Sequence, residues 1–286
     1  MSAKDGNEDP LIGRVLAGRY EILDRLGSGG MSTVYRAKHR MLDRPLAIKI
    51  LKRDLPPTSR SADRFRREAR VASRIEHENV VFLTDFGVSE DGLMFMVMEY
   101  VQGPGLHKVI DNAEGLSWRR TGLIGLQIAR ALQVAHQVGV VHRDLKPENL
   151  VVIDPGGREQ LKVLDFGIAK VMSPGPEHLK LTRAGMVFGT PEYMSPEHAQ
   201  GKPLDGRTDL YALGLILWEC LTGKRAIQGR TPTMTMAMQI KHDPGAPSAE
   251  SGGEVPKELD DIVTQLFAKK PADRFQRAED VVDALE

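Results

Sequence analysis

Residues 142 to 149 read His-Arg-Asp-Leu-Lys-Pro-Glu-Asn, and Asp-Phe-Gly follows at 165 to 167. The two motifs supply an acid that can accept a proton, a lysine that can neutralise phosphate, and an amide and a second acid whose oxygens suit a divalent metal ion. These residues are Asp144, Lys146, Asn149 and Asp165. Because such groups together move a phosphoryl group from a nucleotide to a hydroxyl, the segment predicts a phosphotransferase.

Two further motifs precede this segment. Residues 27 to 34 read Gly-Ser-Gly-Gly-Met-Ser-Thr-Val, and residues 46 to 49 read Leu-Ala-Ile-Lys. The four motifs in this order resemble those of the eukaryotic-like (Hanks-type) serine/threonine protein kinases over residues 20 to 286. The glycine loop and the segment Gly-Thr-Pro-Glu-Tyr-Met-Ser-Pro-Glu, which begins at Gly189, are most similar to the bacterial branch of that family.

The resemblance implies an α+β, bilobal protein-kinase-like fold, with a small antiparallel β-rich N-lobe that carries one regulatory helix and a larger, mainly helical C-lobe. We expect a flexible N-terminal arm over residues 1 to 18 and a kinase domain over 19 to 286. The Gly-Pro-Gly break after residue 102 divides the domain into lobes at about 19 to 102 and 103 to 286.

Hydrophobic periodicity gives the expected elements. Short apolar or β-branched runs predict strands at 20 to 34, 46 to 51, 81 to 87 and 93 to 99. Helical spacing predicts helices at 61 to 75, with Ser61 as the N-cap, and at 117 to 138, 207 to 222, 256 to 268 and 276 to 285.

The composition restricts the possible partners. The 286-residue chain carries 39 basic and 39 acidic residues, so its zero net charge does not indicate nucleic acid or an anionic membrane as a partner. The single cysteine, Cys220, excludes an intramolecular disulfide, and its apolar surroundings favour a buried thiol over a reactive one.

Location is predicted from the same composition. Residues 1 to 10 are polar and acidic, unlike a secretory signal, and the apolar run at 210 to 220 is shorter than the roughly 20 residues of a membrane span. We expect a cytoplasmic enzyme, either free-standing or the cytoplasmic part of a longer membrane-anchored kinase.

The glycine loop is weak evidence alone, because dinucleotide-binding folds use similar spacing. Residues 33 to 37 read as a returning strand rather than a helix, which favours a hairpin over nucleotide phosphates, although a plain surface turn remains the alternative. Ser32 replaces the third glycine of the pattern. The predicted nucleotide contacts in and around this loop are Leu26, Gly27, Ser28, Gly29, Gly30, Met31, Ser32 and Val34.

Lys49 lies on an alternating strand, where a lysine is most often a solvated surface residue. Glu68, however, lies close to the apolar face of the predicted 61 to 75 helix, and an unpaired carboxylate there would be costly. A Lys49 to Glu68 ion pair removes that cost and directs the ammonium to the α and β phosphates of ATP. A surface pair between Glu68 and Arg64 is the alternative.

The resemblance assigns further roles. Asp144 is the catalytic base, Lys146 contacts the γ phosphate, and Asn149 and Asp165 hold Mg²⁺, with Mn²⁺ as an alternative. The Asp-Leu-Lys-Pro-Glu-Asn wording and Thr190 indicate serine and threonine as acceptors. At the hinge we expect adenine contacts from Ala47, Glu99 and Val101, with Met98 as gatekeeper, although a buried apolar strand end would explain the same letters.

Arg143 precedes the catalytic acid, which in this family accompanies control by phosphorylation of the activation segment, here 165 to 197. We expect autophosphorylation in trans at Thr182, with Ser173 a poorer candidate. The resemblance also implies three structural residues. Glu197 and Arg274 form a buried pair, and Asp209 anchors the catalytic-loop backbone.

The predicted function is therefore ATP- and Mg²⁺-dependent phosphorylation of protein serine and threonine hydroxyls. One alternative is a pseudokinase scaffold, whose usual mark is loss of Lys49, Asp144 or Asp165, and all three are present. A second is a small-molecule phosphotransferase of the same fold, but such enzymes generally lack the peptide-positioning segment that begins at Gly189.

Overall fold

The computed structural model describes residues 9–29, 32–51, 69, 73–166, 190–252 and 254–286. The chain divides into two compact units. The N-terminal unit comprises Met1–Ser73 and Phe82–Val101, and the C-terminal unit comprises Arg74–Val81 and Gln102–Glu286.

The N-terminal unit contains a six-stranded antiparallel sheet in the order β1-β2-β3-β4-β6-β5. Its strands are β1 (Val15–Leu16), β2 (Tyr20–Ser28), β3 (Ser32–His39), β4 (Arg44–Leu51), β5 (Leu83–Val88) and β6 (Met94–Glu99). Successive strands pair through short connections, except that β4 pairs with β6. The predicted glycine loop, the lysine motif and the predicted hinge therefore all belong to this one sheet.

The two faces of this sheet differ, because side chains alternate along a strand. Leu46, Ile48 and Ile50 of β4 are buried in an apolar core with residues such as Phe95 and Val97 of β6. Residues 47 and 49 therefore lie on the opposite face. Lys49 is only 5% exposed despite its charge.

The prediction of a flexible arm over residues 1 to 18 is wrong for the residues that the structure describes. Leu16 is fully buried and pairs with Tyr20, and the Gly13 N–H donates to the Ile22 carbonyl at 2.8 Å. Ala17 and Gly18 both have positive φ angles, which matches a tight hairpin turn. Burial of Leu16 offsets the entropy of ordering this segment, and a two-residue strand is too short to show periodicity.

The C-terminal unit is mainly helical. Its described helices are α1 (Leu106–Ala113), α2 (Trp118–Gln137), α3 (Pro196–Ala199), α4 (Arg207–Thr222), α5 (Pro232–Lys241), α6 (Lys257–Leu266) and α7 (Ala278–Leu285). Helix α2 begins after Ser117, whose hydroxyl accepts the Arg120 N–H as an N-cap. The helices predicted at 117 to 138, 207 to 222, 256 to 268 and 276 to 285 agree with these bounds to within about two residues at each end.

Helix α4 is the centre of this unit, with every residue from Thr208 to Thr222 buried. Its sequence is apolar on all sides, as expected for a helix surrounded by others. It ends at Gly223, where φ is 69° and a Cβ would lie 2.6 Å from the Glu114 carbonyl carbon. Glycine is therefore required at that position both by the backbone conformation and by the close approach.

Several short elements went unpredicted. The hairpin of β7 (Leu150–Ile153) and β8 (Gln160–Val163) has strands of four residues, and helix α3 has four residues as well. Helix α1 has only eight residues, and helix α5 has no continuous apolar stripe. Short segments of this kind do not distinguish strand from helix by periodicity. The hairpin nevertheless matters, since it connects the predicted catalytic motif at residues 142 to 149 to the one that begins at Asp165.

The helix predicted at 61 to 75 falls almost wholly outside the described residues. Ala69 is helical, whereas residues 73 and 74 form a turn, so the helix ends before Ile75. Within the parts of the chain that the structure describes, none of the helices is long and apolar enough to cross a membrane.

Candidate active site

The backbone of the predicted catalytic loop is held by Asp209 of α4. Its carboxylate accepts the N–H groups of His142 and Arg143, each at 2.8 Å. Nε2 of His136, on α2, lies 2.9 Å from the same carboxylate. Asp209 is 1% exposed, so these hydrogen bonds satisfy a buried charge and fix the loop against the central helix. Sequence reasoning missed His136, whose only signal was a histidine near the end of an apolar helix.

The second motif is attached to the first through His142. This side chain is fully buried, its Nε2 lies 2.8 Å from the Leu164 carbonyl oxygen, and its ring packs edge-to-face on Phe166 with centroids 4.9 Å apart. Arg143 and Asp165 both adopt left-handed backbone, with φ of 62° and 53°. Non-glycine residues rarely adopt this conformation, and such strain is concentrated at functional sites.

Asp144, Lys146 and Thr190 lie together. The Lys146 ammonium donates a hydrogen bond to Thr190 Oγ1 at 2.9 Å and lies 3.7 Å from Asp144 Oδ2. All three side chains are partly buried and line one pocket. The geometry thus places an acid, a fixed positive charge and a hydroxyl around a single point.

The Asn149 side chain is also held in place by hydrogen bonds within the loop. It ends a short 3₁₀ turn, and its Nδ2 donates to the Asp144 carbonyl at 2.8 Å. Its own carbonyl accepts the Leu164 N–H at 2.8 Å, beside Asp165. Because the amide nitrogen is used, Oδ1 is the atom that could ligate a cation.

The donor set fits magnesium. Asn149 and Asp165 offer oxygen atoms, which hard cations prefer, and Mg²⁺ usually takes few protein ligands while keeping water and phosphate oxygens. Among the described residues there is no cluster of three or more histidine, cysteine or acidic side chains that could hold a metal ion.

In the N-terminal unit, Lys49 belongs to a row of residues that crosses the sheet. It pairs with Val34 of β3 on one side and Met96 of β6 on the other, and Val34 pairs with Gly27 of β2. Residues directly opposite each other in such pairs share a face. The lysine and the glycine loop therefore lie on the same side of the sheet.

The glycine loop is a hairpin between β2 and β3, closed by a hydrogen bond from the Gly29 N–H to the Ser32 carbonyl at 2.8 Å. Among the described residues, a Cβ at Gly27 would meet nothing within 4 Å, and one at Gly29 would meet only the Ser32 oxygen at 3.7 Å. Internal packing in this part of the chain does not explain the two glycines. Leu26, in the same hairpin, is half exposed.

The predicted hinge follows β6. The Glu99 carboxylate accepts the Phe82 N–H at 3.0 Å, and the Glu99 N–H donates to the Phe82 carbonyl. Met98 is partly buried opposite Ala47 of β4, and Val101 follows the strand. The predicted gatekeeper, Met98, therefore lies on the same face of the sheet as Ala47 and Lys49.

Glu197 and Arg274 form the expected buried pair, with both guanidinium nitrogens at 2.8 Å from the carboxylate. The guanidinium also donates to the carbonyls of Ala268, Arg207 and Lys269. Burial alone would raise the pKa of Glu197, but the hydrogen bonds and charge of Arg274 outweigh it and the pKa is lowered. The pair fixes α3, which directly follows the segment containing Thr190.

A second buried pair was not predicted. The Tyr193 hydroxyl donates to Glu219 Oε2 at 2.5 Å, and burial raises the pKa of Glu219 to about 7. The signal in the sequence was the single acid that interrupts the apolar run at 210 to 220. Cys220 beside it is buried, as expected, and burial raises the pKa of its thiol.

Several predicted residues fall outside the described parts of the chain. They are Gly30, Met31, Ser61, Arg64, Glu68, Ser173 and Thr182. The proposed Lys49 to Glu68 pair and the proposed phosphorylation site therefore remain predictions.

The fold is that of a protein kinase domain. The family model described as "Protein kinase domain" matches residues 20–284, so the chain belongs to that family. The predicted family and bilobal class of fold are confirmed.

Within the family the chain resembles bacterial serine/threonine-protein kinases. It is 40% identical over 274 residues to serine/threonine-protein kinase pkn3 of Myxococcus xanthus, covering 95% of this chain and 50% of that protein. It is 39% identical to PrkC of Bacillus subtilis, covering 95% and 40%. The chain thus spans half or less of the length of these relatives.

Solved structures give the same result. The crystal structure of the Mycobacterium tuberculosis PknI kinase domain matches with a TM-score of 0.72 at 28% identity, covering 96% of this chain and 97% of that one.

Proposed function

We propose that this chain is an ATP- and Mg²⁺-dependent protein kinase that transfers the γ-phosphoryl group to serine and threonine hydroxyls of proteins. The observation that carries the proposal is the grouping of Asp144, Lys146 and Thr190 around one point. The names of the bacterial relatives support the acceptor class.

On the acceptor side, Asp144 orients the substrate hydroxyl and takes its proton as the oxygen attacks the γ phosphorus. A new O–P bond forms, and the bond between the γ phosphorus and its bridging oxygen breaks, leaving ADP. Lys146 neutralises charge on the transferred group while its hydrogen bond to Thr190 holds the acceptor segment. Electrostatic stabilisation of the transition state is expected to be large because these groups are held in place before the reaction.

Asn149 and Asp165 would hold the magnesium ion. When bound, it would neutralise the phosphate oxygens and orient the leaving group. The hydrogen bond from Asn149 Nδ2 to the Asp144 carbonyl supports this assignment, since it ties the metal ligand to the base.

The N-terminal unit is assigned the remaining nucleotide contacts. Gly27 and Gly29 let backbone N–H groups approach phosphate, which accounts for glycines that internal packing does not explain in the described chain. Lys49 contacts the α and β phosphates. The backbone of Glu99 and Val101 contacts adenine, with Met98 behind it. The other assigned contacts are Leu26, Ser28, Gly30, Met31, Ser32, Val34 and Ala47.

Activity is proposed to depend on autophosphorylation of Thr182 in trans. A phosphate near Arg143 would be held by charge-assisted hydrogen bonds from its guanidinium. Protein substrates and a second copy of the chain are thus the proposed partners. The competing function is a nucleotide-binding scaffold without transfer.

The test is incubation of purified protein with Mg²⁺ and γ-labelled ATP, with and without a mixed serine and threonine peptide library. Matched variants are Asp144→Asn and Thr182→Ala. Label in peptide and on Thr182 in wild type, absent in Asp144→Asn, is the expected result. Nucleotide binding without label in wild type would instead favour the scaffold. Full activity of Thr182→Ala without a lag would contradict the activation step alone.

A further inference from the structure

A buried chain of hydrogen bonds runs from Lys269 to the segment that follows Thr190. The Lys269 ammonium donates to the Tyr211 hydroxyl at 2.9 Å, and that hydroxyl donates to Gln239 Oε1 at 2.7 Å. Gln239 Nε2 donates to the carbonyls of Pro191 and Glu192, at 2.9 and 2.6 Å. Three elements, α4, α5 and the 3₁₀ turn at Pro191–Tyr193, are joined by this path.

The direction of the chain is determined by its first member. A lysine ammonium has only donors, so the Tyr211 oxygen accepts from it and has one proton left to give. That proton goes to Gln239 Oε1, which leaves both N–H bonds of the amide for the two carbonyls. The orientation of the Gln239 amide therefore follows from its partners and needs no assumption about which atom is nitrogen.

Gln239 has no exposed surface, and neither has Tyr211. A buried polar side chain is stable only where it is hydrogen-bonded, and Gln239 makes three such bonds. Tyr211 is held further by the Arg274 guanidinium, 4.8 Å from its ring centroid. The path is thus continuous with the Glu197 and Arg274 pair and forms a rigid support beneath residues 190 to 193.

We propose that Gln239 is a positioning residue for the phosphoryl acceptor. Its amide fixes the carbonyls of Pro191 and Glu192 and so holds the backbone next to Thr190, where the substrate's serine or threonine is presented. This inference rests on the proposed function, because it concerns how that site binds its protein substrate. Through Gln239, helix α5 is proposed to affect binding of the acceptor peptide and not binding of the nucleotide.

Substitutions separate the two sides of the amide. Gln239→Glu keeps the acceptor for Tyr211 but places an oxygen against two carbonyl oxygens. Gln239→Leu removes both sides at similar volume. Tyr211→Phe leaves Gln239 facing the carbonyls and removes only its support. Gln265→Leu, at an exposed position on α6, is the matched control.

Kinetics on the whole chain provide the first readout, using the library peptide that the wild type labels most. Gln239→Leu and Gln239→Glu should raise the peptide KM about tenfold, the loss expected for a buried hydrogen bond. Their kcat and KM for ATP should stay within about twofold of wild type. Tyr211→Phe should lie between, and Gln265→Leu should match wild type. An unchanged peptide KM, or a KM for ATP that rises equally, would overturn the proposal.

Hydrogen exchange of backbone amides 192 to 195, followed by mass spectrometry, is a second readout that needs no activity. Exchange there should be at least about tenfold faster in Gln239→Leu, whereas α4 keeps its protection. If the wild type phosphorylates nothing, the proposed function fails, but faster exchange in Gln239→Leu would still show that Gln239 holds the backbone at residues 191 and 192. Unchanged exchange at residues 192 to 195 in Gln239→Leu would overturn the positioning role of Gln239, whether or not the wild type is active.

Discussion

The ammonium of Lys146 donates a hydrogen bond to the hydroxyl of Thr190 at 2.9 Å, across 44 residues of sequence. One residue belongs to the predicted catalytic loop and the other begins the segment that leads to Glu197. The bond couples a charge assigned to the phosphoryl group with a segment assigned to the acceptor. It is the contact on which the proposed chemistry most directly depends.

Thr190→Val removes this hydroxyl at nearly constant volume. Hydrogen bonds to charged groups contribute about 1.5 to 3 kcal/mol, so kcat/KM for a peptide should fall roughly ten- to hundredfold. Thr190→Ser keeps the acceptor and should retain most activity. Steady-state peptide phosphorylation measures both, and equal activity of Thr190→Val and wild type would rule out the role.

A substitution at Leu16 tests whether strand β1, which precedes residue 19, contributes to the stability of the folded domain. Because this side chain is fully buried, Leu16→Ala should lower the free energy of unfolding by about 2 to 5 kcal/mol. Ile12→Ala, at a side chain that is 47% exposed, is the matched control and should change it little. Urea unfolding at constant pH makes the comparison. Equal, small effects of the two variants would mean that β1 adds nothing to stability.

The ion pair of Glu197 and Arg274 should be highly sensitive to loss of one partner. Arg274→Ala leaves a buried carboxylate uncompensated and should destabilise the fold by about 3 to 5 kcal/mol. Lys257→Ala breaks an exposed pair with Asp261 and should leave the melting temperature almost unchanged. Thermal unfolding distinguishes them, and a stable Arg274→Ala protein would contradict the structural role.

Glu219 should make stability depend on pH. Burial is the largest cause that raises its pKa to about 7, with Glu148 and Asp111 adding to the shift and the Tyr193 hydrogen bond and Arg225 opposing it. Between pH 4.5 and 7 the folded protein therefore keeps a proton that the unfolded chain releases. This contribution is present in full below about pH 4.5 and is lost as pH rises through 7, amounting to up to about 3 kcal/mol.

Glu219→Gln isolates that contribution, since its amide has no charge to titrate. The unfolding free energy of wild type minus that of Glu219→Gln should decrease as the pH rises from 4.5 to 7, and should be constant at higher pH. A difference that stays constant over this range would show that Glu219 ionises normally. Urea unfolding at a series of pH values gives the measurement.

Much of the fold could be predicted from sequence because its long elements carry strong periodic patterns. Helices α2 and α4 lie where their apolar spacing predicted them, to within about two residues. The short elements could not be predicted in this way. β1 is ordered by the burial of Leu16, and α5 is tied down by Gln239, so tertiary contacts decide both.

The candidate site divides in the same way. Asp144, Lys146, Asn149 and Asp165 were found from two short motifs, because chemistry that needs several groups on one loop constrains the spacing of residues along the chain. The supports of these residues have no such spacing. Asp209 was implied only by the family resemblance, whereas His136, which reaches Asp209 across 73 residues, and Gln239, which reaches Pro191 across 48, were missed.

By itself, then, the sequence determined the family and the long helices and indicated the candidate reacting groups, since each depends on residues close together in the chain. The family resemblance also implied the anchor Asp209, but only the tertiary structure revealed the other buried partners. Glu219 against Tyr193 and Gln239 beneath Pro191 are single polar residues in apolar surroundings. Their roles follow from the requirement that a buried polar group find a hydrogen-bond partner, and that partner can lie anywhere along the chain.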